Sequence, residues 1–261
     1  MTQDCLLEKR ADGVALITFN RPESLNAMGG QLLPQLVAQL ERCEADAEIR
    51  CVALTGAGRG FCAGGDVKGF AASGHVGITR ERLAQSALAT SLRLHSMRKP
   101  TVALVNGPAA GAGMSLALAC DLRFCSDQAR FVTAFSRIGL SGDFGGSYFL
   151  QRLIGYGRAL EAYLLAEPID AARALELGIA NHVVPHDELM ARGLEYCARL
   201  AAGPTYAYGN IKAAFNFAEN APAREALPFE AGTMTDSAGS QDFADGAKAW
   251  AEGRKPQFRG R

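Results

Sequence analysis

The chain has 261 residues, enough to bury a large core in one domain with a small helical appendage. Lys plus Arg number 27, as do Asp plus Glu, and a net charge of zero argues against nucleic-acid or anionic-membrane partners. The seven cysteines are odd in number and form no C-x-x-C, which argues against a disulfide framework or a zinc knuckle and points to a reduced, cytoplasmic enzyme.

The first ten residues carry charges where a signal peptide needs an apolar core. Val14–Phe19 is an apolar run that ends at Asn20-Arg21-Pro22, a strand and then a turn. Leu32, Leu33, Leu36, Val37 and Leu40 recur at helical spacing. Residues 51–55 read as a buried strand, 79–98 as a charged helix stopped by Pro100, and 101–105 as the next strand. Residues 112–119 read as a helix and 122–125 as a strand. The uncharged run from Gly107 to Cys120 is too short to cross a bilayer. This alternation predicts βαβ units on a parallel sheet. From there on the pattern is helical: 150–166, 171–177, 187–201, 204–219, 223–235 and 241–253. The expected organisation is an α/β core over residues 1–200 and a helical region over 201–261.

Three segments carry candidate chemistry. After the 51–55 strand comes Gly56-Ala57-Gly58-Arg59-Gly60-Phe61-Cys62-Ala63-Gly64-Gly65-Asp66-Val67. Its G-x-G-x-x-A fits a dinucleotide fingerprint, but that fingerprint opens straight into a helix and Gly64-Gly65 argues against one. Glycines here let backbone N–H groups approach a ligand. Cys62 as a nucleophile has no nearby His in sequence. After the 101–105 strand, Asn106 to Ser115 forms a glycine-rich loop running into a helix. It gathers free N–H groups and the positive end of the helix dipole at one point, the geometry of an oxyanion hole. Gly113-Met114-Ser115-Leu116-Ala117 also approaches a hydrolase elbow, with Asp121 and His182 as conceivable partners. In the third segment, Ser136 to Ser147, Asp143 sits in a glycine turn between apolar stretches. A carboxyl held among apolar groups titrates higher, as proton-transfer chemistry needs. The alternative for Asp143 is a turn residue that bonds its own backbone. None of His75, His95, His182 and His186 pairs at metal-ligand spacing, since Pro185 interrupts the last two, and no metal site is expected.

In this order, the segments resemble the crotonase (enoyl-CoA hydratase/isomerase) superfamily. The matching stretches are Asn20–Met28, Gly58–Asp66, Asn106–Gly113 and, more loosely, Trp250–Phe258. The resemblance implies a spiral of ββα units with a C-terminal helical appendage, homotrimers or dimers of trimers, and an acyl-CoA thioester substrate. Coenzyme A would enter as part of that substrate rather than as a separate cofactor. It implies an oxyanion hole from the N–H groups of Gly65 and Ala112. Leu25, Ala27, Ala63, Asp66 and Val67 would line the CoA path, and Trp250 and Lys255 would reach CoA from a neighbouring subunit. The two glutamates of typical hydratases fall at Ser115 and Phe135, which cannot serve as acid or base. The stretch from Ala134 through Asp143 to Gly146 resembles the ring 1,2-epoxyphenylacetyl-CoA isomerase group, which carries Asp at the matching position. A related dehalogenase also needs a Trp and a His, whose places are held by Phe135 and Leu88. The expected activity is an enolate-stabilising isomerisation with Asp143 as acid/base and Phe135 keeping the pocket dry. The alternatives are a hydratase using other groups, a non-catalytic CoA binder, and an RNA-binding relative using Arg80, Arg82, Arg93 and Arg98.

Overall fold

Strands β2 (Val14–Phe19), β3 (Cys51–Gly56) and β4 (Thr101–Val105) are apolar at nearly every position and buried along almost their whole length. Such runs form parallel sheets covered on both faces, and these strands pair in parallel, with Val14 opposite Cys51 and Val52 opposite Thr101. Alternate residues serve two cores. Ala15, Ile17, Val52, Leu54, Ala103 and Val105 face the larger one, while Val14, Leu16, Cys51, Ala53, Val102 and Leu104 face the smaller. A one-residue slip would exchange the two sets, so both faces fix the register.

The computed structural model describes residues 3–67, 69, 71 and 79–261. His75 lies outside the described residues. The sheet runs β1 (Cys5–Lys9), β2, β3, β4, β6 (Leu122–Ser126), β9 (His182–Val184). The edge strand β1 is antiparallel to β2 and lies in the charged N-terminal stretch that sequence patterning left unassigned. A second sheet holds β5 (Pro108–Ala110), β7 (Arg130–Val132) and β8 (Ile169–Asp170). Each of β4 and β6 is thus followed by a short strand of the second sheet, and helix α4 (Ala112–Ala119) follows β5. This is the repeating ββα unit of a crotonase-type spiral.

Helix α1 (Leu32–Ala45) buries Leu32, Leu36 and Leu40 against the larger core. The charged helix expected over 79–98 is α2 (Arg80–Ala87), a π-helical turn at Leu88–Leu92 and α3 (Arg93–Ser96). Thr79 caps it by accepting the Arg82 N–H at 3.3 Å. The single helix expected over 150–166 is two: α5 (Gly146–Ile154) and α6 (Tyr156–Leu165). Gly155, at φ +81° and ψ 158°, breaks the hydrogen-bond run between them.

After α7 (Ala171–Glu176) and β9, α8 (Leu189–Ala201) covers the smaller core with Leu189, Cys197 and Ala201. Helices α9 (Thr205–Ala218), α10 (Ala223–Ala238) and α11 (Gln241–Glu252) complete the chain. The C-terminal tail folds back: Arg50 donates to Phe258 O at 2.8 Å, and Asp242 accepts the N–H groups of Arg259 and Gly260. Lys212 of α9 pairs with Asp121 at 2.7 Å, with side chains only 12 % and 21 % exposed.

Burial pushes the Asp121 carboxyl up, and Lys212 and the Thr101 N–H pull it back. Lys212→Met should leave an uncompensated buried charge and cost about 3–5 kcal/mol in urea unfolding. The double variant with Asp121→Asn should recover part of that loss. Equal stability of Lys212→Met and the parent would show that the pair contributes nothing.

Candidate active site

Two asparagines shape the glycine loop after β3. Asn26 is fully buried; it donates to the carbonyls of Ala57 and Gly60 at 3.0 and 2.8 Å and accepts the Arg21 N–H at 2.8 Å. Asn106 donates to Gly56 O and Gly58 O at 2.9 and 3.0 Å. These bonds satisfy the carbonyls of the turn and hold its shape. Both asparagines stand in the matched motifs, but the sequence gives no sign of the carbonyls they bind.

The loops then lace together by main-chain bonds. Ala63 N donates to Leu25 O at 2.9 Å and Met28 N to Gly64 O at 2.7 Å. On the other side, Phe61 N donates to Pro108 O and Ala110 N to Cys62 O. No side chain fits between them. A Cβ on Gly64, whose φ is +87°, would stand 2.6 Å from Ala110 O and 3.3 Å from Ala112 N. A Cβ on Gly113 would collide with the Cys62 carbonyl. The segment carrying Gly65 therefore lies directly against the start of α4. Ala112 is the first residue of that helix, so its N–H has no intrahelical acceptor. Among the turn and loop bonds of the described residues, neither the Gly65 nor the Ala112 N–H is spent.

The residues expected along the CoA path follow these loops. Leu25, Ala63 and Asp66 are half-buried, Ala27 is buried and Val67 is exposed. Asp66 is tethered: its Oδ1 accepts the Gly69 N–H at 3.0 Å and its Oδ2 lies 3.9 Å from Arg21. Trp250, 89 % exposed, and Lys255 stand on the outer surface of the single chain.

Asp143, the expected acid/base, lies in the turn before α5. Its carbonyl accepts the Gly146 N–H at 3.2 Å, and Phe144 follows in the left-handed region at φ +48° with its ring buried. The carboxyl is half-buried, and its Oδ1 is buried with no hydrogen-bond partner among the described residues. Burial pushes it up to about 6. In the same turn, Gly142 and Gly146 pack against Tyr163 of α6. Ser115 is buried and donates to Gly111 O at 3.2 Å. Phe135 is buried and stacks on Tyr163, with centroids 6.0 Å apart and planes at 10°.

Other readings of these residues fail on geometry. The Cys62 thiol is fully buried, is pushed up to about 12 chiefly by burial, and donates to Asn26 O at 3.1 Å, so it stays a protonated, packed thiol. A Ser115 hydrolase does not assemble: Ser115 bonds Gly111, Asp121 pairs with Lys212, and His182 packs between Phe124 and Tyr196. The segment 58–63 runs on through Gly64 and Gly65 rather than opening a helix, so it is no dinucleotide fingerprint.

Comparison with known proteins agrees with this fold and arrangement of loops. Residues 9–261 match the family described as enoyl-CoA hydratase/isomerase. The chain is 38 % identical to a probable enoyl-CoA hydratase of Rhodobacter capsulatus, covering 96 % of each chain. It is also 38 % identical to the 1,2-epoxyphenylacetyl-CoA isomerase of Escherichia coli, over 95 % of this chain and 96 % of the relative. A crystal structure named for an enoyl-CoA hydratase subunit of Geobacillus kaustophilus superposes with a TM-score of 0.91 at 33 % identity, covering 99 % of both chains. The chain belongs to the enoyl-CoA hydratase/isomerase, or crotonase, superfamily of acyl-CoA enzymes.

Ala112 opens a helix, where proline is tolerated, so Ala112→Pro should fold while lacking one N–H. Turnover of an acyl-CoA substrate should fall on the order of 10²–10³-fold. Parental turnover by a variant with an unchanged circular dichroism spectrum would remove Ala112 from the site.

Proposed function

We propose that this protein is an acyl-CoA isomerase that works through an enolate. The thioester carbonyl accepts from the Gly65 and Ala112 N–H groups, which hold the negative charge that develops on oxygen. The Asp143 carboxylate takes a proton from carbon adjacent or conjugated to the carbonyl, and the acid so formed returns it to another carbon. The outcome is a double-bond shift or the related opening of a ring epoxide. The observation that carries this reading is the Asp143 carboxyl: its Oδ1 is buried with no hydrogen-bond partner among the described residues, its titration is raised to about 6, and its turn packs through Gly146 on Ser115 of α4, the helix that Ala112 opens. In this reading Phe135, whose buried ring stacks on Tyr163, keeps the pocket dry.

The relatives' names include both hydratase and isomerase. Ser115 and Phe135 stand where typical hydratases carry glutamates, which favours isomerisation over hydration, and crotonyl-CoA hydration should be slow. Phe135 and Leu88 likewise disfavour dehalogenation. An RNA-binding role is disfavoured because Arg93 is engaged by Glu41 and Glu44 and Arg98 by Asn210. A non-catalytic CoA binder would show no turnover with any acyl-CoA. Residues 201–261 are proposed as the trimerisation region, placing Trp250 and Lys255 beside a neighbour's CoA. Phe215, Leu227 and Met234 expose apolar surface suited to that contact. Coenzyme A enters with the substrate, and the seven buried free thiols suit a reduced, cytoplasmic setting.

Asp143→Asn should abolish isomerisation of a 3-enoyl-CoA, with a loss of ~10²–10⁴-fold and nearly intact thioester binding. In deuterium oxide the parent should exchange the α or γ protons of that substrate and the variant should not. Exchange at the parental rate in Asp143→Asn would make Asp143 a turn residue.

A base must be deprotonated, so kcat/KM should rise about tenfold per pH unit below about 6 and level off above it. Stability should show the opposite trend. With the folded carboxyl raised above its unfolded value of 3.8, its contribution is full below that value and is lost as pH rises through about 6. Asp143→Asn should therefore gain stability over the parent at pH 8 relative to pH 4, and a pH-independent difference in Tm would contradict the buried, raised carboxyl.

A further inference from the structure

Arg21 stands in the Asn20–Met28 motif, yet the proposed reaction leaves its side chain without a role. Its backbone is fixed by buried Asn26, whose Oδ1 accepts the Arg21 N–H at 2.8 Å and whose N–H donates to Arg21 O at 2.9 Å. The guanidinium, only 18 % exposed, donates from Nη1 to the Ala27 carbonyl at 2.7 Å. The Gly29 N–H takes the second acceptor position of that carbonyl at 2.8 Å. Ala27 O shares a peptide group with the Met28 N–H, which donates to the Gly64 carbonyl, again at 2.7 Å. Gly64 O in turn shares a peptide group with the Gly65 N–H. Both 2.7 Å bonds are at the short end of the N–H···O range. Met28 and Gly65 face each other as a parallel bridge. The C=O and N–H of a trans peptide point to opposite sides, so Gly65 directs its N–H away from Met28.

A hydrogen bond accepted by a carbonyl polarises the N–H of the same peptide and strengthens what that N–H donates, and an ionised donor at the head of the chain adds to the effect. Arg21 also reaches past Gly65: its guanidinium lies 3.9 Å from Asp66 Oδ2, and a Cβ on Gly29 would collide with both groups.

We infer that Arg21 is a positioning residue for the Gly65 N–H. Its charge is relayed through the Ala27–Met28 and Gly64–Gly65 peptides, and the same bonds fix the plane in which the Gly65 N–H points. A guanidinium keeps its charge at any working pH, so the relay is always on. The inference rests on the reading that the Gly65 N–H takes the thioester oxygen; it does not depend on which carbon Asp143 deprotonates.

Arg21→Met keeps an unbranched stem and removes the charge and the donor. The first measurement is the carbonyl stretch of hexanoyl-CoA labelled with ¹³C at the thioester carbon, a saturated ligand with no double bond to shift. Binding to the parent should move the stretch to lower frequency. Arg21→Met should give back part of that shift, and Arg21→Lys, which keeps the charge, should give back less. The second measurement is kinetic. With a 3-enoyl-CoA, Arg21→Met should lower kcat roughly three- to tenfold, a fraction of the loss from removing a whole donor, with KM within about twofold. A purely structural Arg21 would change stability or KM and leave the bound stretch where it is in the parent; that result in a folded Arg21→Met protein overturns the inference. A third measurement needs no variant. Residues 27 and 28 form the only Ala-Met pair in the chain, so carbonyl-¹³C alanine and ¹⁵N methionine give a single correlation. The Met28 N–H should resist exchange in deuterium oxide, and rapid exchange there would break the relay whether or not the variants fold. A parent that binds the thioester without lowering its stretch would sink the oxyanion reading itself, and the inference with it, a result distinct from a stretch that is lowered equally in parent and variant.

Discussion

The site depends on a contact in which backbone meets backbone. Residues 61–65 and 108–113 approach so closely that a methyl group on Gly64 or Gly113 would enter a neighbouring peptide. Hydrogen bonds from Phe61 to Pro108 and from Ala110 to Cys62 hold the approach. The segment carrying Gly65 and the start of α4, distant in sequence, are thereby held against each other by main chain rather than by mobile side chains. Donors held this way need little reorganisation when charge develops on a bound oxygen, and electrostatic stabilisation works best under that condition.

The asparagines secure this contact from behind. Asn26 and Asn106 take up the carbonyls of residues 56–60, so the glycine loop keeps its shape without a strand or helix of its own. The parallel sheet beneath is buried on both faces and sets the ends of β3 and β4, from which both loops spring. Stability and chemistry therefore share a scaffold: the apolar strands place the loops, and polar side chains within the loops settle their carbonyls.

Asp143, the proposed base, lies on a different element, the turn before α5. Phe144 holds an uncommon left-handed backbone with its ring buried, so this turn is set by packing and not by local preference. Burial, with no hydrogen-bond partner for Oδ1 among the described residues, keeps the carboxyl hard to ionise, a state that favours a residue able both to take and to return a proton.

The sequence by itself determined the parts whose signals are local. Largely apolar runs at 14–19, 51–55 and 101–105 mark strands buried on both faces, and period 3.6 marks α1 and the C-terminal helices. Glycine-rich composition marked the loops after β3 and β4 and the turn that carries Asp143, while Gly65 and Ala112 are singled out within those loops by the resemblance to the crotonase superfamily. Only the tertiary structure decided what depends on contacts between distant segments. The edge strand β1 is recognised only by its pairing with β2, since its own charges obscure it. The break at Gly155 turns on a φ of +81° that composition alone does not specify. Tyr163 reads in sequence as one aromatic among the small and apolar residues of a helix, and its place beside Ser115, Phe135 and the Asp143 turn exists only once α4, α5 and α6 are packed together. Spacing along a chain encodes periodicity and turn chemistry, whereas the partners of a side chain thirty or more residues away are fixed by how those elements stack.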